Sequence, residues 1–252
     1  MSRKGIQLLT FVSVLCALAL LGIATSVTAA PSASTGFKIT PLLRPDGGSE
    51  PAISIAANGT MGLTTLSWQK FFTHYWSGPF GSTPPFRGEI DADLQLNGAR
   101  TALGGGDADV DIGSTGTLHA STLIFVVNPA FNNAQLGVSA IACPSALQSV
   151  PAGCKSQIID TAGADRQWIT SNGKQVWISY HDAGNSTLIH VQRSDDDGYS
   201  WHKVGSPIPG QGAATGDATF NNTQGPLVAD SFSGNLYDVY AGGEAGSGDI
   251  VP

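Results

Sequence analysis

Short apolar and β-branched segments alternate with polar turns along most of the chain, and they come in pairs. Each pair consists of a strand-like segment, a turn that contains glycine, and a second segment rich in aromatic and β-branched residues. This pattern is typical of β-hairpins. The four pairs are 52–57 with 63–68, 109–112 with 118–125, 167–170 with 176–180, and 227–230 with 236–240.

The four turns recur at nearly equal distances along the chain. Their glycines, Gly59, Gly116, Gly173 and Gly234, are separated by 57, 57 and 61 residues. A near-constant period of this length indicates an array of similar supersecondary units. If each unit is a four-stranded antiparallel sheet, radial packing of the sheets gives a β-propeller. The alternative is a β-sandwich in which four glycine-rich hairpins happen to be evenly spaced.

The repeat predicts an all-β protein with about three and a half units, at about 49–104, 105–160, 161–215 and 216–252. The composition agrees, because the chain has 32 glycines, only 12% charged residues and no long amphipathic helical pattern. A propeller avoids open sheet edges by closing its ring. We therefore expect this sequence to continue beyond Pro252 or to close through another copy.

The third unit contains a distinctive loop, Ser194-x-Asp196-x-Gly198-x-x-Trp201. It lies between the strand-like segments 188–191 and 201–204, so it is predicted to be a hairpin loop. Ser194 and Asp196 can accept hydrogen bonds from backbone N–H groups of the loop. Gly198 allows a positive φ, and Trp201 supplies a large apolar side chain for the next strand. The loop is therefore expected to be a rigid corner.

The spacing of this loop resembles the Asp-box, also called the BNR repeat, of the sialidase superfamily. The resemblance covers about residues 49–252 and depends on Ser194, Asp196, Gly198 and Trp201. It implies a six-bladed propeller in which these corners lie away from the catalytic face, so their expected role is structural.

The resemblance also implies a catalytic apparatus. Sialidases hold the substrate carboxylate with three arginines and use a tyrosine paired with a glutamate as nucleophile and an aspartate as acid/base. The nearest match to the first-arginine motif is Pro85-Phe86-Arg87, which lacks the Ile-Pro that follows in the family. Arg87 is therefore a weak catalytic candidate, and a complete catalytic set is not expected within this chain.

The N-terminus predicts export. Residues 1–30 resemble a cleavable signal peptide, with a basic start, an apolar segment and small residues before the cleavage point, and 31–48 is an extended lead-in. An uncleaved membrane anchor is the alternative. Cys143 and Cys154 are then expected to form a local disulfide in a secreted protein, with two free thiols as the alternative. This bond would replace the Asp-box in the second unit.

The charge balance argues against some partners. Without residues 1–30 the chain keeps 10 basic and 19 acidic residues, which disfavours binding to nucleic acid or to anionic membranes. Asp107-x-Asp109-x-Asp111 does not fit the EF-hand template, so we predict no metal or cofactor there. A solvated loop that enters the strand 109–112 is expected, and an irregular calcium site is the alternative. His74-Tyr75-Trp76 is either a sugar-stacking surface or ordinary core packing, and packing is favoured.

These features predict an exported, sialidase-like propeller module that recognises a glycan or another extracellular ligand. One alternative is a fragment of an exo-α-sialidase or a related glycoside hydrolase. The other is a structural or protein-binding propeller. Oligomeric state does not follow from the sequence.

Overall fold

The structure is a computed structural model that describes residues 41–42, 44, 48–67, 69–94, 102–127, 134–161, 163–182, 188–205, 223–243 and 250–251. The predicted signal peptide and most of the predicted lead-in lie outside these residues. No helix among the described residues has the length and apolarity needed to span a bilayer. All the regular elements in these ranges are strands, as the sequence predicted.

The strands form successive antiparallel sheets in chain order. The first sheet contains β1 (Ser49–Ile55), β2 (Thr60–Ser67), β3 (Phe72–Pro79) and β4 (Phe86–Glu89). The second contains β5 (Ala102–Leu103), β6 (Ala108–Ile112), β7 (Leu118–Val127), β8 (Ala134–Cys143) and β9 (Lys155–Asp160). The third contains β10 (Ala164–Asn172), β11 (Gln175–Asp182), β12 (Ile189–Ser194) and β13 (His202–Gly205). The last contains β14 (Thr223–Ala229), β15 (Leu236–Gly243) and β16 (Ile250–Val251).

Each sheet is a meander in which neighbouring strands in the chain pair with one another. The second sheet differs because β5 and β6 both pair with β7 and together occupy the place of one strand. The four predicted hairpins are the strand pairs β1–β2, β6–β7, β10–β11 and β14–β15. The described residues therefore contain three complete meanders and part of a fourth. The exact unit boundaries stay a prediction.

The innermost strands of the four sheets surround a common axis. They are β1, β6, β10 and β14. Strand β6 packs against β1 and β10, and β14 packs against β10. A cavity of about 350 Å³ between them is lined by residues 51–54, 109–111, 168–170 and 226–227. Sheets whose first strands meet at one axis are arranged radially, which is the architecture of a β-propeller and not of a sandwich.

Carboxylates of β6 link three of these inner strands. The Asp111 carboxylate accepts hydrogen bonds from Ser54 Oγ at 3.2 Å and from Ser171 Oγ. Asp109 accepts one from the backbone N–H of Ile169 at 2.9 Å. Burial raises the pKa of Asp109 to about 6. These two residues lie in the strand predicted at 109–112, but their carboxylates bridge between sheets, so the expectation that they are solvated is wrong.

Apolar side chains fill the space between successive sheets. Tyr75, Ile112 and Leu118 belong to the cluster between the first and second sheets, and Val138 and Ile178 to that between the second and third. The Tyr75 hydroxyl donates a hydrogen bond to the carbonyl of Ala146 at 2.8 Å, which satisfies its buried polar atom. His74, Tyr75 and Trp76 are all buried, so this segment packs in the core as favoured above.

Candidate functional site

The meander places two kinds of connection at opposite ends of the propeller. The hairpin turns lie at the same end as the loops between third and fourth strands, because alternate connections of a meander share an edge. Hydrogen bonds agree with this arrangement. Asp197 N–H donates to the Lys174 carbonyl at 2.8 Å, and Ala146 N–H donates to the Gly116 carbonyl at 3.1 Å.

The loop resembling an Asp-box is closed by its own hydrogen bonds. Ser194 Oγ accepts from the backbone N–H of Gly198 at 2.9 Å, and Asp196 Oδ1 accepts from that of Ser200 at 2.7 Å. Hydrogen bonds from the Ser200 hydroxyl and then from Ser194 lower the pKa of Asp196 to about 2. Trp201 donates to the Gly198 carbonyl and packs against the core. These contacts support a structural role for the corner.

Asp197, which the motif does not include, ties this corner to the preceding sheet. The backbone φ of Asp197 is 65°. Its carboxylate accepts a hydrogen bond from Thr117 Oγ1 at 2.7 Å and pairs with His119 Nε2 at 3.0 Å. His119 is fully buried, and burial lowers its pKa although Asp197 opposes this effect. Sequence spacing gave no sign of this contact, because the two residues are far apart in the chain.

The predicted Cys143–Cys154 disulfide is present and closes the equivalent loop of the second sheet. Arg87 lies beside this loop on β4, the outermost strand of the first sheet. Its Nε donates to Ser77 Oγ at 3.0 Å, and its carbonyl accepts from Val150 N–H. The structure does not bring Arg87 to the axial end, and a catalytic role for it stays a prediction.

At the opposite end, three inner strands begin with an irregularity at the same level. Each shows a register shift, between Ser49 and Ala52, between Asp165 and Trp168, and between Gln224 and Leu227. Within the first two bulges, Glu50 and Arg166 have positive φ values of 47° and 53°. Non-glycine residues rarely adopt this conformation, and both bulges and backbone strain concentrate at functional sites.

These bulges bring together five charged or titratable side chains, which we call the axial cluster. Its members are Glu50, Asp107, Asp165, Arg166 and His181. Arg166 Nε lies 3.5 Å from Asp107 Oδ2, and His181 Nε2 lies 3.8 Å from Asp165 Oδ2. No group of three or more His, Cys, Asp or Glu residues suited to a metal ion occurs in the described part of the chain.

Two members of the axial cluster, Glu50 and His181, have pKa values shifted from their usual range. A hydrogen bond with Asp107, burial and the charge of Asp107 raise the pKa of Glu50 to about 7, and Arg166 opposes this shift. A neighbouring negative charge disfavours the ionised form of a carboxyl group, which is why Asp107 raises the pKa of Glu50. Burial lowers the pKa of His181, with Asp165 opposing, so its imidazole is neutral near pH 7.

A run of three glycines positions Asp107. A Cβ on Gly104 would lie 1.9 Å from Asp91 Oδ2, and one on Gly105 would lie 2.6 Å from the Phe71 backbone. Asp91 is buried and accepts hydrogen bonds from Thr73 N–H at 2.8 Å and Thr73 Oγ1 at 2.9 Å. Burial raises the pKa of Asp91, while these bonds oppose the shift. The glycine run was a signal in the sequence that pattern reasoning did not use.

No protein-family model and no curated protein matches this sequence. Several solved structures resemble the fold of this chain. An α-L-arabinanase of Penicillium chrysogenum complexed with arabinobiose superposes with a TM-score of 0.51 at 12% identity, covering 81% of this chain and 60% of that one. A PL25 ulvan lyase gives a TM-score of 0.50 at 11% identity, with coverages of 82% and 49%.

A Hadza microbial sialidase gives a TM-score of 0.40 at 10% identity, with coverages of 64% and 34%. The fold that this chain shares with the arabinanase is the β-propeller. At these identities the likeness shows the fold and nothing finer. The chain spans about 60% of the length of the arabinanase. Membership of the sialidase superfamily stays a prediction.

Proposed function

We propose that this protein is a glycan-binding β-propeller module and that its axial cluster holds the sugar. The observation that carries the proposal is the convergence of Glu50, Asp107 and Arg166 at the bulged starts of the inner strands, with Arg166 Nε 3.5 Å from Asp107 Oδ2. Carboxylates accept hydrogen bonds and a guanidinium donates them, so the cluster offers both partners that a sugar hydroxyl needs. Small-molecule sites are also commonly built from a few convergent polar groups in a concave surface.

The context supports a glycan ligand outside the cell. The arabinanase structure contains arabinobiose, and its fold is shared by this chain. The Cys143–Cys154 disulfide suits an oxidising compartment, as expected for an exported protein. Together with the predicted signal peptide, these features favour recognition of an extracellular polysaccharide. Catalysis is not required for this role.

A second candidate function is glycoside hydrolysis, and it is favoured by the pKa of Glu50. A carboxyl group with a pKa of about 7 is half protonated at neutral pH and can act as a general acid or base. Asp107 contacts Glu50 directly, so it can tune the Glu50 pKa, whereas the second carboxyl group of a glycosidase lies across the sugar at about 5 to 9.5 Å. Hydrolysis of chromogenic arabinosides, galactosides or sialosides by the full chain, lost in Glu50→Gln, would establish this function.

Replacing Glu50 with alanine is expected to weaken glycan binding at least about tenfold, because it removes a hydrogen-bonding group worth about 1.4 kcal/mol. The measurement is calorimetry with a sugar selected on a glycan array by the full chain. Asp195→Asn is the matched control, since it removes an exposed carboxylate at the opposite end of the propeller. Equal affinities of Glu50→Ala and wild-type protein would contradict the proposed site.

A further inference from the structure

Carboxylates outnumber cations in the axial cluster. Glu50, Asp107 and Asp165 are acidic, Arg166 is the single guanidinium, and the His181 imidazole is neutral near pH 7 because burial lowers its pKa. The Asp107 carboxylate also lies next to Arg166, so it offsets the charge that an incoming anion would need. The surface around a bound ligand is therefore electronegative.

The other arginines of the described part of the chain are engaged elsewhere. Arg44 lies over the ring of Phe86 at 4.0 Å, and Arg87 donates to Ser77 on an outer strand. Arg193 pairs with Asp195 in the corner at the other end. Proteins usually recognise a carboxylate through bidentate hydrogen bonds from arginine guanidinium groups. In the described residues, the axial cluster has one such group where the predicted sialidase apparatus has three.

From this distribution of charge, we infer that the axial cluster selects neutral sugars and excludes those that carry a carboxylate. This inference is conditional on the glycan-binding role proposed above. A ligand carboxylate placed beside Asp107, Asp165 and the partly ionised Glu50 would be repelled, and like-charge contacts act strongly on specificity. Neutral hydroxyls meet no such repulsion and can donate hydrogen bonds to the carboxylates of the cluster.

The test is binding by the full chain to pairs of sugars that differ mainly by an acidic group. The probes are lactose with sialyllactose, digalactose with digalacturonic acid, and arabinobiose as a further neutral sugar, measured by ligand-observed NMR and calorimetry. At least one neutral sugar should bind, and its acidic counterpart should bind at least about tenfold more weakly. The difference should shrink as salt is added, because salt screens the repulsion between exposed charges.

A double variant, Glu50→Gln with Asp107→Asn, tests the cause of the selection. Both changes keep the size of the side chain and remove negative charge, and the second removes the carboxylate that lies 3.5 Å from Arg166 Nε. Affinity for the acidic member of a pair should rise at least about tenfold relative to the neutral member. An unchanged ratio would show that the axial cluster does not set the selection and would overturn the inference.

The outcomes separate the two claims. Binding of acidic sugars as tight as that of their neutral counterparts would overturn the charge selection and leave glycan binding in place. Binding of no sugar in the panel would overturn both. Binding of neutral sugars alone, with the ratio shifted by the double variant, is the expected result.

Discussion

Replacing Gly105 with alanine is expected to lower the free energy of unfolding by about 3 kcal/mol or more. Gly105 has a φ of 86°, and an added Cβ would lie 2.6 Å from the Cα of Phe71 and 2.8 Å from the nitrogen of Phe72. These are backbone atoms, so no side-chain rotation can relieve the contact. The variant must shift the segment that carries Asp107 away from β3, which should also disturb the axial cluster.

Gly116→Ala is the matched control for Gly105→Ala. Gly116 has a φ of 85°, and an added Cβ would meet no atom within 4 Å. The control therefore includes the cost of the left-handed backbone conformation, about 1 kcal/mol, without the collision. Urea denaturation of both variants gives the two free energies. Equal losses would show that the close approach of Gly105 to β3 is not a feature of the folded protein.

Breaking the Cys143–Cys154 bond is expected to cost about 3 kcal/mol of stability, because it frees a loop closed over 11 positions in the unfolded chain. Cys143 is fully buried in the cluster between the first and second sheets, so its side chain also contributes to packing. The measurement is the thermal midpoint of the oxidised protein, the reduced protein and the double variant Cys143→Ser with Cys154→Ser.

The reduced wild-type protein serves as the control for this comparison, since only the cross-link differs from the oxidised form. Its midpoint should fall by more than about 5 °C for a chain of this size. The double serine variant should be less stable still, because a hydroxyl replaces buried sulfur at Cys143. A midpoint that does not change on reduction, or peptide mapping that finds the two cysteines unlinked, would refute the prediction.

The sequence allowed the repeated hairpins to be predicted because the information is local. Each hairpin combines a glycine turn with alternating apolar residues, and equal spacing of Gly59, Gly116 and Gly173 then indicates one repeated architecture. The hydrogen bonds of Ser194 and Asp196 with backbone N–H groups were predictable for the same reason, since donor and acceptor lie within six residues of each other.

The axial cluster could not be predicted, because its members come from different units. Glu50 meets Asp107 only after the first two sheets pack, and Arg166 reaches Asp107 only after the third does. Strand pattern also does not reveal a bulge, so the positive φ values of Glu50 and Arg166 had no sequence signal. Reasoning from the sialidase resemblance directed attention to Arg87, which lies on an outer strand.

The split first strand of the second sheet was missed for a related reason. Gly104, Gly105 and Gly106 look like a flexible linker in the sequence, but each is required by a close contact with Asp91, Phe71 or Leu123. Glycine runs that permit such close approach cannot be distinguished from linkers until the partner segment is known. The same holds for Asp109 and Asp111, whose partners are on neighbouring sheets.

A crystal structure of the full chain, grown with the neutral sugar that binds most tightly, would test the central claim most directly. We expect density for the sugar at the axial end, within hydrogen-bonding distance of Glu50, Asp107 and Arg166, in a protein whose four hairpins surround one axis. A sugar seated beside the corner that ends in Trp201, or hairpins that do not share an axis, would contradict the account.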